Sequence, residues 1–137
     1  MKKILYLIPC LFIALSFDDE DDNKIDHLWT AQIKYLQGEE FIQKGITGRG
    51  IRIAILDGGF PGANTHSALK HLIDKNQIIA TWNFIKNNEN VYTGNSHGTA
   101  VLACIAGIID GRSLGLAPDA EFLLALTEKS GNHARRN

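Results

Sequence analysis

Apolar and polar positions alternate along this chain with two different periods, and the changes of period divide it into elements. Ile4 to Leu15 is an apolar run interrupted only by Pro9. From about Asp26 to Lys44 the apolar set Leu28, Ile33, Leu36, Phe41 and Ile42 has helical spacing, with Gly38 as an interruption and Gly45 as the stop. Thr47-Gly-Arg-Gly50 reads as a turn. Ile51 to Leu56 is then apolar except for Arg52, a pattern that suits a parallel strand covered on both faces. Asn64 or Thr65 is placed to cap a short helix through Asp74, with Ala68, Leu69, Leu72 and Ile73 on one side. Ile78 to Phe84 predicts a second strand, and the Asn-rich stretch Lys86 to Ser96 a loop. A helix over 97–109 follows, apolar almost all round and therefore expected to be buried, with Gly111 ending it. Ala117-Pro-Asp119 turns the chain into a third strand, Glu121 to Thr127.

Strand, helix, strand, helix, strand implies right-handed crossovers and a parallel sheet. The fold class expected is α/β, a three-layer αβα arrangement with a parallel sheet. Three strands are few for a sheet of this kind, and open apolar edges favour aggregation. The pattern therefore reads as an incomplete domain whose polar, basic tail begins after Thr127.

The chain has 137 residues, room for one domain at most. Its start has the three parts of a secretory signal: basic Lys2 and Lys3, the apolar run, and Ala14-Leu-Ser16 as small residues ahead of a cut before Phe17. Such a run is short for a bilayer span, which needs roughly 20 residues, so no stable membrane anchor is expected. Without residues 1–16 the chain holds 12 Lys and Arg against 15 Asp and Glu, a net charge of −3. No basic face suggests nucleic acid. Cys104 is the one cysteine left, which excludes an intrachain disulfide, and its apolar neighbours predict a small buried side chain. Residues 17–45 read as an acidic leader, Asp18 to Asp22, followed by the N-terminal helix. The leader fails as an EF-hand loop because Lys24 stands where glycine is needed.

The chemistry is carried by Asp57 and His97. Asp57 ends a parallel strand, where ligand sites form in open α/β sheets. A carboxylate there can hold one imidazole nitrogen, fix the tautomer and stabilise the cation, while the other nitrogen takes a proton from a hydroxyl. His97 opens the apolar helix. Gly98 leaves open space beside the ring for a substrate to approach, and the Thr99 hydroxyl can satisfy nearby backbone groups. A metal site built from Asp57, His97 and His66 has no supporting ligand spacing. Gly48-Arg-Gly50 precedes its strand, which excludes a dinucleotide fingerprint.

The segment Gly48-Arg-Gly-Ile-Arg-Ile-Ala-Ile-Leu-Asp57-Gly-Gly-Phe-Pro61 resembles the aspartate motif of the subtilases, the subtilisin-like serine peptidases. Asn95-Ser-His97-Gly-Thr-Ala-Val-Leu-Ala-Cys-Ile-Ala-Gly107 resembles their histidine motif, and Gly115-Leu-Ala-Pro-Asp119-Ala their Gly-x-Ala-Pro-x-Ala turn. The resemblance runs from about residue 46 to residue 127, in the chain order of this class. It implies that residues 46–137 are the N-terminal part of a subtilase catalytic domain, truncated. It further implies peptide-bond hydrolysis of a polypeptide substrate, Asp57 as the triad aspartate and His97 as the general base. Where the family often has Asp-Thr-Gly or Asp-Ser-Gly, this chain has Gly58. The nucleophile is missing: Ser67, Ser96, Ser113 and Ser130 are not in a Gly-Thr-Ser setting. Triad members act as a unit, so the chain alone is expected to be inactive. No cofactor is expected; intact family members can carry calcium, but no site for it is assignable here. The expected location is secreted or periplasmic, and the sequence fixes no oligomeric state. The rival reading is a non-catalytic secreted binding module that retains half of the fold.

Overall fold

The structure, a computed structural model, describes residues 33–129. The leader, the acidic run, His27, Ser130 and His133 lie outside the described residues.

Three strands, β1 (Arg52–Asp57), β2 (Ile78–Asn83) and β5 (Glu121–Leu126), form a parallel sheet in the order β1-β5-β2. β1 meets β5 in unbroken register from Arg52 opposite Glu121 to Asp57 opposite Leu126. β2 pairs along the other side of β5, with a shift between Ile78 and Ala80. The last strand of the sequence is thus the central one, and its burial alternates with period two: Phe122, Leu124 and Leu126 point into the core. The α/β class and the parallel sheet are as expected.

The helices pack on this inner face. A 3-10 turn (Ser67–Leu69) leads into α2 (Lys70–Asp74), and α3 spans His97–Ala106. Leu69, Leu72, Leu102 and Ala106 close over Phe122, Leu124 and Ile55, with Phe60 and Val91 completing the core. On the opposite face Ala54 and Leu56 of β1 and Ala80 and Trp82 of β2 flank Leu123 and Ala125. Leu56 is 65% exposed there, so the strands are covered on one face among the described residues. The second helical layer of the expected sandwich falls on no described residue.

The break at Gly38 is as expected, and several other local expectations are corrected. The N-terminal helix is in two pieces: residues 33–35 are helical, Gln37 turns left-handed, and α1 restarts at Glu39–Gln43 behind Gly38. A side chain at Gly38 would collide with Leu116 Cδ2 at 2.6 Å, so this glycine lets the segment lie on the 114–117 loop. Leu36, Phe41 and Ile42 of its apolar set are exposed. The cap of the second helical segment is neither Asn64 nor Thr65. It is His66, whose Nδ1 accepts the Ala68 N–H at 3.2 Å.

The third helix ends at Ala106 rather than Ile109. Gly107 leaves the helix with ψ 146° after donating its N–H to Ala103 O at 2.8 Å. Ile108–Ile109 is then a short strand (β3) paired with Arg112–Ser113 (β4). Asp110 and Gly111 between them have φ 49° and 77°, the two left-handed positions of a tight hairpin. Gly111 therefore turns a hairpin and does not end a helix. The helix buries only the stripe Gly98, Leu102 and Ala106. Cys104, on another face, is exposed.

Two polar anchors tie the crossovers together. Gln77, buried, donates from Nε2 to the carbonyls of Pro118 and Ala120 at 2.9 and 2.8 Å. Asp119 accepts from Lys75 Nζ at 3.0 Å and lies 3.8 Å from Arg49. A hydrogen bond from the Thr47 side chain, then the one from Lys75, holds its carboxyl below the usual range.

Candidate active site

β1 delivers Asp57 to the carboxyl edge of the sheet, and two glycines then bend the chain away. Gly59 has φ 144° and sits against the Thr93 carbonyl so closely that a Cβ has no room. This close approach lets the loop 91–95 run back antiparallel to residues 58–60. Phe60 N donates to Val91 O at 2.9 Å, Gly59 bridges Gly94, and Asn95 N donates to Gly58 O at 3.3 Å. The loop thereby returns to Asp57 when it enters α3.

His97 is the first residue of that helix. Its Nδ1 lies 2.7 Å from Asp57 Oδ2, and Asp57 Oδ1 accepts the Gly58 N–H at 2.7 Å. Both carboxylate oxygens are therefore engaged. The Asp57 side chain is 11% exposed, the His97 side chain 74%. A largely covered carboxylate thus holds the inner nitrogen of a ring whose remainder faces solvent. With the proton on Nδ1, the ring donates to Asp57 and leaves the Nε2 lone pair open, with no hydrogen bond to it among the described residues. That nitrogen can take a proton from an incoming hydroxyl, and the adjacent carboxylate stabilises the resulting cation.

Gly98 serves packing where the sequence suggested substrate access. A Cβ there would stand 2.5 Å from Gly59 O, 2.7 Å from Phe60 Cε1 and 2.9 Å from Asp57 Cβ. The missing side chain brings the helix onto the end of β1. Thr99 Oγ1 donates to Pro61 O at 2.9 Å, fastening the first helical turn to the loop beyond the strand. Asn95, assigned no role from the sequence, accepts the His97 N–H on Oδ1 at 3.0 Å. Its signal was legible, since Asn two residues before a helix start commonly makes such a turn.

Beside the pair, at the carboxyl ends of all three strands, a groove of ≈ 230 Å³ opens between Gly58, Asn83, Lys86, Thr93, Leu126 and Lys129. Asn83 shapes its wall by donating to Asn90 O and accepting from the N–H groups of Ile85 and Lys86. Ser67 begins the 3-10 turn, Ser96 precedes α3 and Ser113 lies on β4; none is hydrogen-bonded to His97. His66 is occupied as a cap. Among the described residues no three His, Cys, Asp or Glu side chains converge to hold a metal, and no helix is long and apolar enough to cross a membrane.

Comparison with known proteins fits this geometry. The model of the Subtilase family matches residues 48–135. The major intracellular serine protease of Bacillus subtilis (strain 168) is 34% identical over 97 residues, covering 67% of this chain and 28% of the relative. An alkaline protease of Alkalihalobacillus alcalophilus is 32% identical over 132 residues, 84% of this chain and 32% of the relative. Alkaline elastase YaB of Bacillus sp. (strain YaB) is 30% identical over 106 residues, 75% and 25% respectively. The chain thus spans between a quarter and a third of the length of these relatives. With its parallel sheet, its strand-end aspartate and its helix-start histidine inside the matched region, the chain belongs to the subtilase family.

Proposed function

We propose that this chain is the N-terminal part of a secreted serine endopeptidase that hydrolyses peptide bonds through an Asp-His-Ser triad. The observation that carries the reading is the 2.7 Å contact between His97 Nδ1 and Asp57 Oδ2. Asp57 keeps the proton on Nδ1 and orients the ring. His97 Nε2 takes the proton of a serine hydroxyl as that oxygen attacks the scissile carbonyl, then returns it to the leaving amine. The serine comes from outside these 137 residues, so the chain alone does not turn over substrate. Support for a polypeptide substrate comes from relatives whose names are those of proteases. Support for secretion is the basic, apolar and small-residue succession of residues 1–16, although one relative is named as intracellular.

The test is to read the coding DNA past Asn137, express the extended product, and assay hydrolysis of an unstructured polypeptide. A downstream Gly-Thr-Ser and hydrolysis abolished by His97→Ala are expected. An extended product that binds peptides without cleaving them would favour a binding module instead. N-terminal sequencing of the exported protein should begin at Phe17.

A further inference from the structure

The Asp57–His97 contact joins the end of a strand to the start of a helix, and 40 residues of chain separate the two. Something must hold those two ends at a fixed spacing. The His97 ring is exposed, so surrounding side chains do not clamp it. Backbone contacts bring the loop near, Thr99 fastens the first helical turn to Pro61, and the Asn95 side chain touches both His97 and Gly58, the residues next to the contact itself.

We propose that Asn95 and Gly58 form a positioning pair, in which the Asn95 carboxamide seated on Gly58 fixes the start of α3 and so keeps His97 Nδ1 on Asp57. This inference rests on the triad reading above. Three observations converge on it. Asn95 Oδ1 accepts the His97 N–H at 3.0 Å, tying the carboxamide to the first residue of the helix. The Asn95 backbone N–H donates to Gly58 O at 3.3 Å. The carboxamide lies where a side chain on residue 58 would otherwise begin: a Cβ there would stand well inside contact with Asn95 Nδ2 and 3.1 Å from Asn95 Cγ. Gly58 also donates its N–H to Asp57 Oδ1, so the residue under the carboxamide is the one that holds the other carboxylate oxygen.

The departure at position 58 thereby acquires a reason. A Thr or Ser there and Asn95 in this conformation exclude one another. Where a hydroxyl residue follows the aspartate, it can reach the carboxylate itself. In this chain glycine clears the space, and the carboxamide braces the helix start instead. Asn95 is a positioning residue that acts through the His97 backbone.

The readout is the tautomer of the His97 ring in the 15N-labelled full chain, followed by long-range 1H–15N correlation at alkaline pH, where histidines are neutral. His97→Gln identifies the signals. The ring should sit mainly in the Nδ1–H form that the Asp57 carboxylate favours. Asn95→Ala should move the Nδ1–H to Nε2–H ratio toward Nε2–H by about five-fold, the factor carried by one hydrogen bond of ordinary net strength. Asn95→Asp, which keeps an acceptor for the His97 N–H, should preserve the ratio, and Gly58→Val should shift it as Asn95→Ala does. Asn95 is exposed, so its truncation removes no core contact. Dispersed amide signals from Phe122 and Leu124 report an intact core. If Asn95→Ala loses them, Asn95→Leu replaces it, because leucine keeps the volume of the carboxamide but offers the His97 N–H no acceptor, and the same shift is expected. An unchanged ratio in whichever of these keeps its core overturns the proposal. Asp57→Ala separates the two readings. If it shifts the ratio while the Asn95 variants do not, only the positioning role fails; if it too leaves the ratio unchanged, the Asp57–His97 pairing fails.

Discussion

Replacing Gly98 by alanine should weaken the protein, against the usual trend for glycine in a helix. In an ordinary helix interior the change is favourable by about 1 kcal/mol, because alanine restricts the unfolded chain and glycine does not. Here the added methyl would sit 2.5 Å from the Gly59 carbonyl oxygen, 2.7 Å from Phe60 Cε1 and 2.9 Å from Asp57 Cβ. All three lie inside the 3.4 Å at which ordinary contact begins, and the nearest is backbone in a strapped turn that cannot swing aside. Overpacking of this kind costs about 1–3 kcal/mol, and a backbone obstacle puts the cost at the upper end. The net loss is about 1–2 kcal/mol. For a folded unit of about 100 residues that lowers Tm by roughly 4–16 °C. Thermal unfolding followed by circular dichroism gives the comparison, with Ala100→Gly as a calibration at an exposed position of the same helix. That variant should lose only about 1 kcal/mol, the propensity difference. A Gly98→Ala protein with unchanged or raised Tm would refute the packing of α3 onto the end of β1.

Two further outcomes follow from buried and half-buried polar groups. Gln77→Ala removes both hydrogen bonds to the Pro118 and Ala120 carbonyls and should lower the urea midpoint by the equivalent of about 1–3 kcal/mol without changing m; an unshifted midpoint would contradict the anchor. Acidification should destabilise the fold in two windows. Burial, and next the Lys75 charge, pushes the His71 imidazole below its ordinary 6.5, against the opposing pull of the Pro118 and Ala106 carbonyls and Asp119. The unfolded chain therefore takes the proton first, so this contribution is complete above 6.5 and is lost as pH falls through the lower folded value. Asp119, held below 3.8 by Thr47 and Lys75, adds a second loss at more acidic pH. Urea midpoints across pH should show the first window flattened in His71→Leu and the second in Asp119→Asn. Equal slopes in wild type and His71→Leu would contradict the first assignment.

How much of this was legible depended on whether the deciding force acts within one element. The strand Arg52–Asp57 is readable because its apolar run ends abruptly at an acid and two glycines, and the strand Glu121–Leu126 because its run is bounded by Pro118 and the polar tail. Asp57 at a strand end and His97 at a helix start follow from the same boundaries. The end of α3 does not, since Ile108 and Ile109 prolong an apolar run without revealing a change of period. The Asp110-Gly111 turn signal that settles the matter lies one residue further on. His66 as a cap is hidden because a histidine rarely serves there. Cys104 sits among apolar neighbours in sequence, yet exposure is set by which face of the helix meets the sheet. The Asn95 turn onto His97 was readable, but Gly98 and the seat of Asn95 on Gly58 show the same limit most clearly. Their roles exist only across the contact between α3 and the end of β1, where Gly59, Phe60 and Gly58 come from a different element.

The central claim is that Asp57 and His97 are the orienting acid and the general base of a subtilase triad. Peptide hydrolysis by the extended product of the reading frame, compared between wild type, His97→Ala and Asp57→Asn, tests it most directly. Loss of either residue should lower kcat by orders of magnitude. Subtilisin itself provides that scale, on the order of 10⁶ for the histidine and 10⁴ for the aspartate, so it is not a value worked from this structure. Hydrolysis that survives His97→Ala undiminished would contradict the account.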